Sequence, residues 1–207
     1  MSCELSCEAA LAHVAAGGLV AFPTETSWGL GADARSDAAL AKLRAWKGRD
    51  GAKPISILVA GRADLARLGA QLSPAAEKLA SAFWPGPLTL VVRCAVPLAA
   101  GVAGPGGALG LRCSPHPVAA ALAKLAAERG VGPLTATSLN RTGEPACRTR
   151  AEARRCAGAE VPLVAGADAG GGVPSSVVDA TGEQLAVLRE GALSPAAIAA
   201  ALCEARA

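Results

Sequence analysis

Three cations, Lys47, Arg49 and Lys53, fall within the seven residues from 47 to 53, inside the stretch WKGRDGAKP from Trp46 to Pro54. Just upstream, PTETSWGLGADA from Pro23 to Ala34 is rich in hydroxyls and glycines. Only 18% of the chain is charged, so a basic group this tight stands out, and a bound anion would relieve its self-repulsion. The group reads as a phosphate-handling surface. Arg49 has a planar fork that grips phosphate bidentately, and Lys53 follows within about 14 Å of chain, so both can reach one polyphosphate. A plainer reading stands beside it: Lys47 and Arg49 flank an expected helix end, where cations meet the helix dipole and Gly48 is an ordinary stop.

Other candidates carry the same double reading. Thr24 and Thr26 alternate around Glu25 just after an expected buried strand, where small hydroxyls can face a ligand or simply form a turn. In TATSLN, Ser138 and Asn140 fall on one side at a strand end and can bind a phosphate or carboxylate, or close a local turn. Arg112 closes the strand ALGLR and Arg189 closes LAVLR, so each can hold a guanidinium over the same sheet edge or stand as a solvated arginine. His13 and His116 are too far apart in sequence to suggest a metal pair, and no Ser/His/Asp arrangement can be assigned. The stretches GPGG at 104–107 and GGG at 170–172 precede neither GK[ST] nor a dinucleotide pattern and read as loops.

The elements that must position these residues follow from periodicity and caps. Helices are expected over 7–16, from the Ser36 cap to Trp46, from Ser73-Pro74 to about Trp84, and at about 115–129, 149–156 and 194–204. Strands are expected at 19–22, 55–60, 87–92, 108–112, 133–138, 161–164, 176–180 and 185–189. Interleaved helices and strands favour an α/β fold: one domain, with a twisted mixed parallel and antiparallel sheet flanked by helices and an open cationic groove. The last two strands, a turn apart, should pair antiparallel. GPLT occurs at 86–89 and again at 132–135, but its surroundings do not repeat, so it is shared local chemistry.

Composition bounds the rest. A chain of 207 residues with 52% apolar content can bury one full core, and 24 glycines with 14 prolines point to many short elements. A net charge of +3, with two Phe, three Trp and no Tyr, argues against a protein that coats nucleic acid or stacks single-stranded bases. Seven scattered cysteines without a CxxC pair read as reduced thiols, and no metal site is expected from protein side chains. The N-terminal residues show neither a basic leader nor a long apolar run, which gives a cytoplasmic expectation and no membrane partner.

Taken in order, several blocks resemble one family. PTETSWGLG resembles PT[DE]T-x-[YF]-GLG, WKGRDGAKPISI resembles KGR followed by KP, and WPGPLT, LGLRC, TATSLN, PSSVVD and VLREG match further blocks. Over roughly residues 14–192 the chain is similar to the YrdC/TsaC family of L-threonylcarbamoyladenylate synthases. The resemblance implies that Lys47, Arg49, Ser138 and Asn140 hold the nucleotide, joined at ATP by Lys53 and Arg189, with Lys47 and Arg49 in the catalytic role. It implies that Thr26, Arg112 and Ser175 bind threonine, with Thr24 adjacent and Arg112 on the carboxylate.

The implied reaction joins L-threonine, bicarbonate and ATP into threonylcarbamoyl-adenylate and pyrophosphate, for threonylcarbamoyl modification of adenosine in tRNA. ATP would carry magnesium, no organic cofactor is needed, and tRNA threonylcarbamoyl-transfer proteins would take the product. Alternatives are a double-stranded RNA or tRNA-binding module, and a nucleotide-binding paralogue with another acceptor. The sequence departs from the family pattern at Trp28, usually Tyr or Phe, at Leu139, usually Ala, and at Arg141-Thr142-Gly143; at Leu58 some relatives carry histidine. The resemblance ends near the end of the chain, so the additional C-terminal domain of longer relatives is expected to be absent.

Overall fold

A computed structural model describes residues 4–48 and 53–203. The middle of the WKGRDGAKP stretch, and with it Arg49, lies outside the described residues. Most of the helices start where side chains can satisfy orphan backbone N–H groups. Ser6 caps α1 (Cys7–Ala15), Ser36 caps α2 (Asp37–Lys47), and α2 stops at Gly48, whose φ of +61° suits a residue without Cβ. A short α3 (Ala63–Arg67) was not expected from the sequence; α4 (Pro74–Phe83) follows its Ser73 cap as expected. His116 caps α5 (Pro117–Arg129) through its ring, Thr149 and Glu152 form a capping box on α6 (Arg150–Ala157), and α7 (Pro195–Cys203) closes the described chain.

The strands form two sheets where one was expected. β1 (Val20–Pro23), β2 (Trp28–Gly31) and β6 (Thr137–Ser138) make an antiparallel three-stranded sheet. β3 (Ile57–Leu58), β4 (Leu88–Arg93), β5 (Ala108–Arg112), β7 (Ser176–Asp179) and β8 (Ala186–Arg189) make a mixed sheet in the order β3-β5-β4-β7-β8. β7 and β8 pair antiparallel as the short connection required, while β3 with β5 and β4 with β7 run parallel. The single strand expected at 133–138 divides its pairing instead. Leu134 bridges to Asp33 and Thr135 to Ile57, before Thr137 and Ser138 join β2, so this segment stitches the two sheets into one mixed α/β body. The expected strand at 161–164 contributes only isolated bridges, Leu163 to Ala21 and Val164 to Leu5.

β2 was missed because its glycines read as a turn. The structure gives them another purpose. Phe22 pairs with Gly29, and a Cβ placed on Gly29 or Gly31 would approach the Phe22 ring to 3.0 Å. The bare face of β2 therefore receives Phe22, while Trp28 and Leu30 point the other way. Two apolar clusters result: one around Trp28, Leu30, α2, α4 and the five-stranded sheet, the other around Phe22, α1 and α5. A residue of period two on a strand serves both. Replacing Gly29 by Val should force the Phe22 ring aside and cost about 1–3 kcal/mol of stability, measured as a lower denaturant midpoint with unchanged slope. An unaltered midpoint would contradict this packing.

Candidate active site

The register of the mixed sheet places a row of residues on one rim. Leu58 pairs with Arg112, Arg112 with Thr89, Thr89 with Val177, and Val177 with Arg189. Cross-strand partners share a face, so Arg112 and Arg189 do stand over the same sheet edge. Ser175, immediately before β7, joins them: its hydroxyl lies 2.9 Å from the Thr89 hydroxyl, and Arg189 donates to its carbonyl at 2.8 Å and 3.1 Å. Arg189, which the resemblance assigns to ATP, thus sits beside Ser175 and Arg112, the residues it assigns to threonine.

Arg112 is 5% exposed, donates to the Leu88 carbonyl at 3.3 Å and forms an ion pair with Glu25. The second oxygen of Glu25 accepts from the Ser114 hydroxyl. Burial pushes the Arg112 guanidinium down to about 10, with neighbouring Arg189 acting in the same direction, and burial lowers Arg189 as well. At neutral pH Arg112 still carries its charge. Two guanidinium groups therefore converge on a rim of hydroxyls, an arrangement suited to a carboxylate or phosphate.

Thr24 closes a turn, as its plainer reading allowed: its hydroxyl donates to the Ser27 carbonyl at 2.6 Å. It also lies 3.0 Å from the Thr26 hydroxyl, which keeps both oxygens together. The glycine-rich segment at 166–172 runs against these threonines, with Gly170 N–H donating to the Thr24 carbonyl at 3.0 Å and Gly172 N–H to the Thr26 carbonyl at 2.8 Å. Trp28 donates its indole N–H to Asp168 of that segment at 3.0 Å. The extra ring at this position, where the family pattern has Tyr or Phe, thus gives the segment a polar anchor. His116 caps α5 through Nδ1 and lies 3.2 Å from the Asp168 carbonyl through Nε2.

Lys47 is 2% exposed and belongs to a second knot. Its ammonium donates to the Ser138 carbonyl at 2.5 Å, the Asn140 carbonyl at 3.0 Å and Asn140 Oδ1 at 3.3 Å, and Ser138 donates to the same Oδ1 at 2.6 Å. The helix end delivers Lys47 to the loop after β6, so three of the sequence candidates meet through one ammonium group. Lys53 is exposed. Arg141, another departure, stacks 4.3 Å over Trp46 and braces this loop from outside.

Glu25, Thr89 and Ser114 were not recognised from the sequence. The only signal was the carboxylate between two threonines, whose partner Arg112 is 87 positions away. Burial pushes the Cys94 thiol up to about 11 and the Cys147 thiol up to about 12, which disfavours the nucleophilic thiolate at both. Among the described residues no group of three or more His, Cys, Asp or Glu could hold a metal ion.

Residues 12–191 match the Sua5/YciO/YrdC family model, whose description reads telomere recombination. The chain is 42% identical over 179 residues to a threonylcarbamoyl-AMP synthase of Chromohalobacter salexigens, covering 82% of this chain and 90% of that protein. It is 36% identical over 162 residues to the enzyme of the same name from Halorhodospira halophila, covering 78% and 83%. Among solved structures, P. abyssi Sua5 complexed with L-threonine is similar with a TM-score of 0.86 and 32% identity; the match covers 96% of this chain and 57% of that one. E. coli YciO shares the fold, with a TM-score of 0.79, 20% identity and coverage of 91% and 90%. With the strand rim, the threonine pair and the Lys47 knot all falling inside the matched span, the chain belongs to the Sua5/YciO/YrdC family.

Proposed function

We propose that this protein is an L-threonylcarbamoyladenylate synthase, forming threonylcarbamoyl-AMP and pyrophosphate from L-threonine, bicarbonate and ATP. The observation that carries the reading is Arg112, a nearly buried cation paired with Glu25, the neighbour of Thr26, on a strand rim where its cross-strand partner Thr89 meets the Ser175 hydroxyl, in a chain 36–42% identical to proteins named for this activity. A buried guanidinium flanked by hydroxyls suits the carboxylate and hydroxyl of threonine. The Sua5 structure similar to this one was solved with L-threonine.

In the reaction the threonine ammonium first gives up a proton to solvent, and the neutral amine attacks the carbon of bicarbonate, with water leaving as the N–C bond forms. A carbamate oxygen then attacks the α-phosphorus of ATP, the bond to the bridging oxygen breaks, and pyrophosphate departs. Neither step needs a side-chain nucleophile. The protein supplies positioning and cationic stabilisation of charge on the phosphate oxygens. In this reading Arg112, Ser175 and Thr26, with Thr24 fixing their turn, hold threonine. Lys47, Arg49, Lys53, Ser138, Asn140 and Arg189 form the ATP side of an open cationic groove. Lys47 contributes by locking Ser138 and Asn140 in place as well as by its charge. Arg189, which donates to the Ser175 carbonyl, is assigned in this reading to bridge the threonine and ATP sides.

Magnesium carried by ATP completes the substrate set. The adenylate would pass to tRNA threonylcarbamoyl-transfer proteins. No helix among the described residues is long and apolar enough to cross a membrane, and the proposed setting is the cytoplasm. The whole chain is proposed to act as one domain.

Pyrophosphate release should require ATP, threonine and bicarbonate together; release that ignores threonine would remove the assignment. Arg49→Ala should lower turnover about a hundredfold or more, the scale of losing a main electrostatic stabiliser, and an unchanged rate would take it out of the site. Lys47→Met should act differently. It leaves the part-buried Ser138 and Asn140 carbonyls short of a donor, so it should cost about 1–3 kcal/mol in stability in addition to raising the KM for ATP.

A further inference from the structure

The cation assigned above to the substrate carboxylate already has a carboxylate on it. Glu25 pairs with Nη2 of Arg112, the Leu88 carbonyl accepts from Nη1, and Ser114 holds the other Glu25 oxygen. An incoming carboxylate that is to bind bidentately needs adjacent N–H groups of this same fork. The Glu25 side chain is 20% exposed and that of Arg112 6%, so neither charge is well solvated if left alone.

We propose that Glu25 is an internal surrogate for the substrate carboxylate and the specificity determinant for α-amino acids: threonine displaces it from Arg112, and the freed Glu25 carboxylate pairs with the ammonium group of the same threonine molecule. This deepens the synthase reading and rests on it. Charge balance carries the argument. Threonine enters as a zwitterion, so its carboxylate replaces Glu25 on the guanidinium while its ammonium compensates the carboxylate that was displaced. One buried ion pair becomes two. A carboxylic acid without the ammonium would have to leave Glu25 unpaired in a largely buried site, which is a repulsive element against such competitors.

The backbone around Glu25 is suited to an exchange confined to the side chain. The carbonyls on either side of it, of Thr24 and Thr26, accept from Gly170 and Gly172. A Cβ on Gly170 would come within 2.4 Å of the Glu25 carbonyl, so the covering segment lies directly on this peptide. Glu25 can therefore rotate its carboxylate without withdrawing from the pocket.

Calorimetric titration with L-threonine and with 3-hydroxybutyrate, which keeps the carboxylate and hydroxyl and lacks the amine, tests the proposal. The wild type should prefer threonine strongly. In Glu25→Gln the preference should fall about tenfold or more, chiefly because 3-hydroxybutyrate binds more tightly, since the neutral amide no longer competes for Arg112. Ser114→Ala, which frees one Glu25 oxygen, should tighten threonine binding and keep the preference. Equal binding of the two ligands by the wild type would overturn the proposal, a result that needs no variant to fold. So would a Glu25→Gln protein that loses affinity for both ligands by the same factor, which would make Glu25 a support for Arg112. No threonine binding at all by the wild type, with ATP present, would instead overturn the synthase reading beneath it.

Discussion

A guanidinium at the end of β5 with 5% exposure is the constraint around which the site is arranged. Charge that far from water must be compensated nearby or it destabilises the fold, and Arg112 meets this demand through Glu25 and a main-chain carbonyl. Glu25 is in turn fixed by Ser114 on the far side of the rim and by the turn that Thr24 closes. The turn receives the glycine-rich segment, and the segment is anchored to Trp28 at the start of β2. Satisfying one buried cation thus draws together residues from four separate stretches of chain.

The Lys47 ammonium does a parallel job at the other group. Its acceptors are main-chain and amide oxygens, so it fixes the shape of the loop that carries Ser138 and Asn140. At both centres a buried charge holds the surrounding walls in place. The two sheets are joined between them by the 134–138 segment, which bridges to Asp33 and Ile57 and then pairs with β2. That seam keeps the two groups at a fixed relation.

Much of this was legible beforehand. Helix starts at Ser36 and Ser73 were readable because a capping hydroxyl acts on N–H groups two or three residues away. The antiparallel pairing of β7 with β8 was readable from the short connection. The β2 strand was not, because WGLG is suited to a turn until Phe22 is placed across it. The strand at 133–138 was seen as one piece because periodicity cannot show that neighbouring residues pair with different sheets. The structure brings the sequence candidates Arg112, Arg189 and Ser175 to one rim and Lys47, Ser138 and Asn140 to one loop, whereas Glu25, Thr89 and Ser114 acquire meaning only from partners distant in sequence.

The amino-acid sequence by itself determined the α/β class, the ends of most helices and, through its ordered motifs, the family and its reaction. These rest on local backbone chemistry and on the collinear order of blocks. Tertiary structure alone decided that the strands split into two sheets, that Lys47 turns inward to carbonyls, and that Arg112 is matched by Glu25. Burial and long-range pairing set those outcomes, because the free energy of a charge depends on which groups surround it after folding and not on its neighbours along the chain.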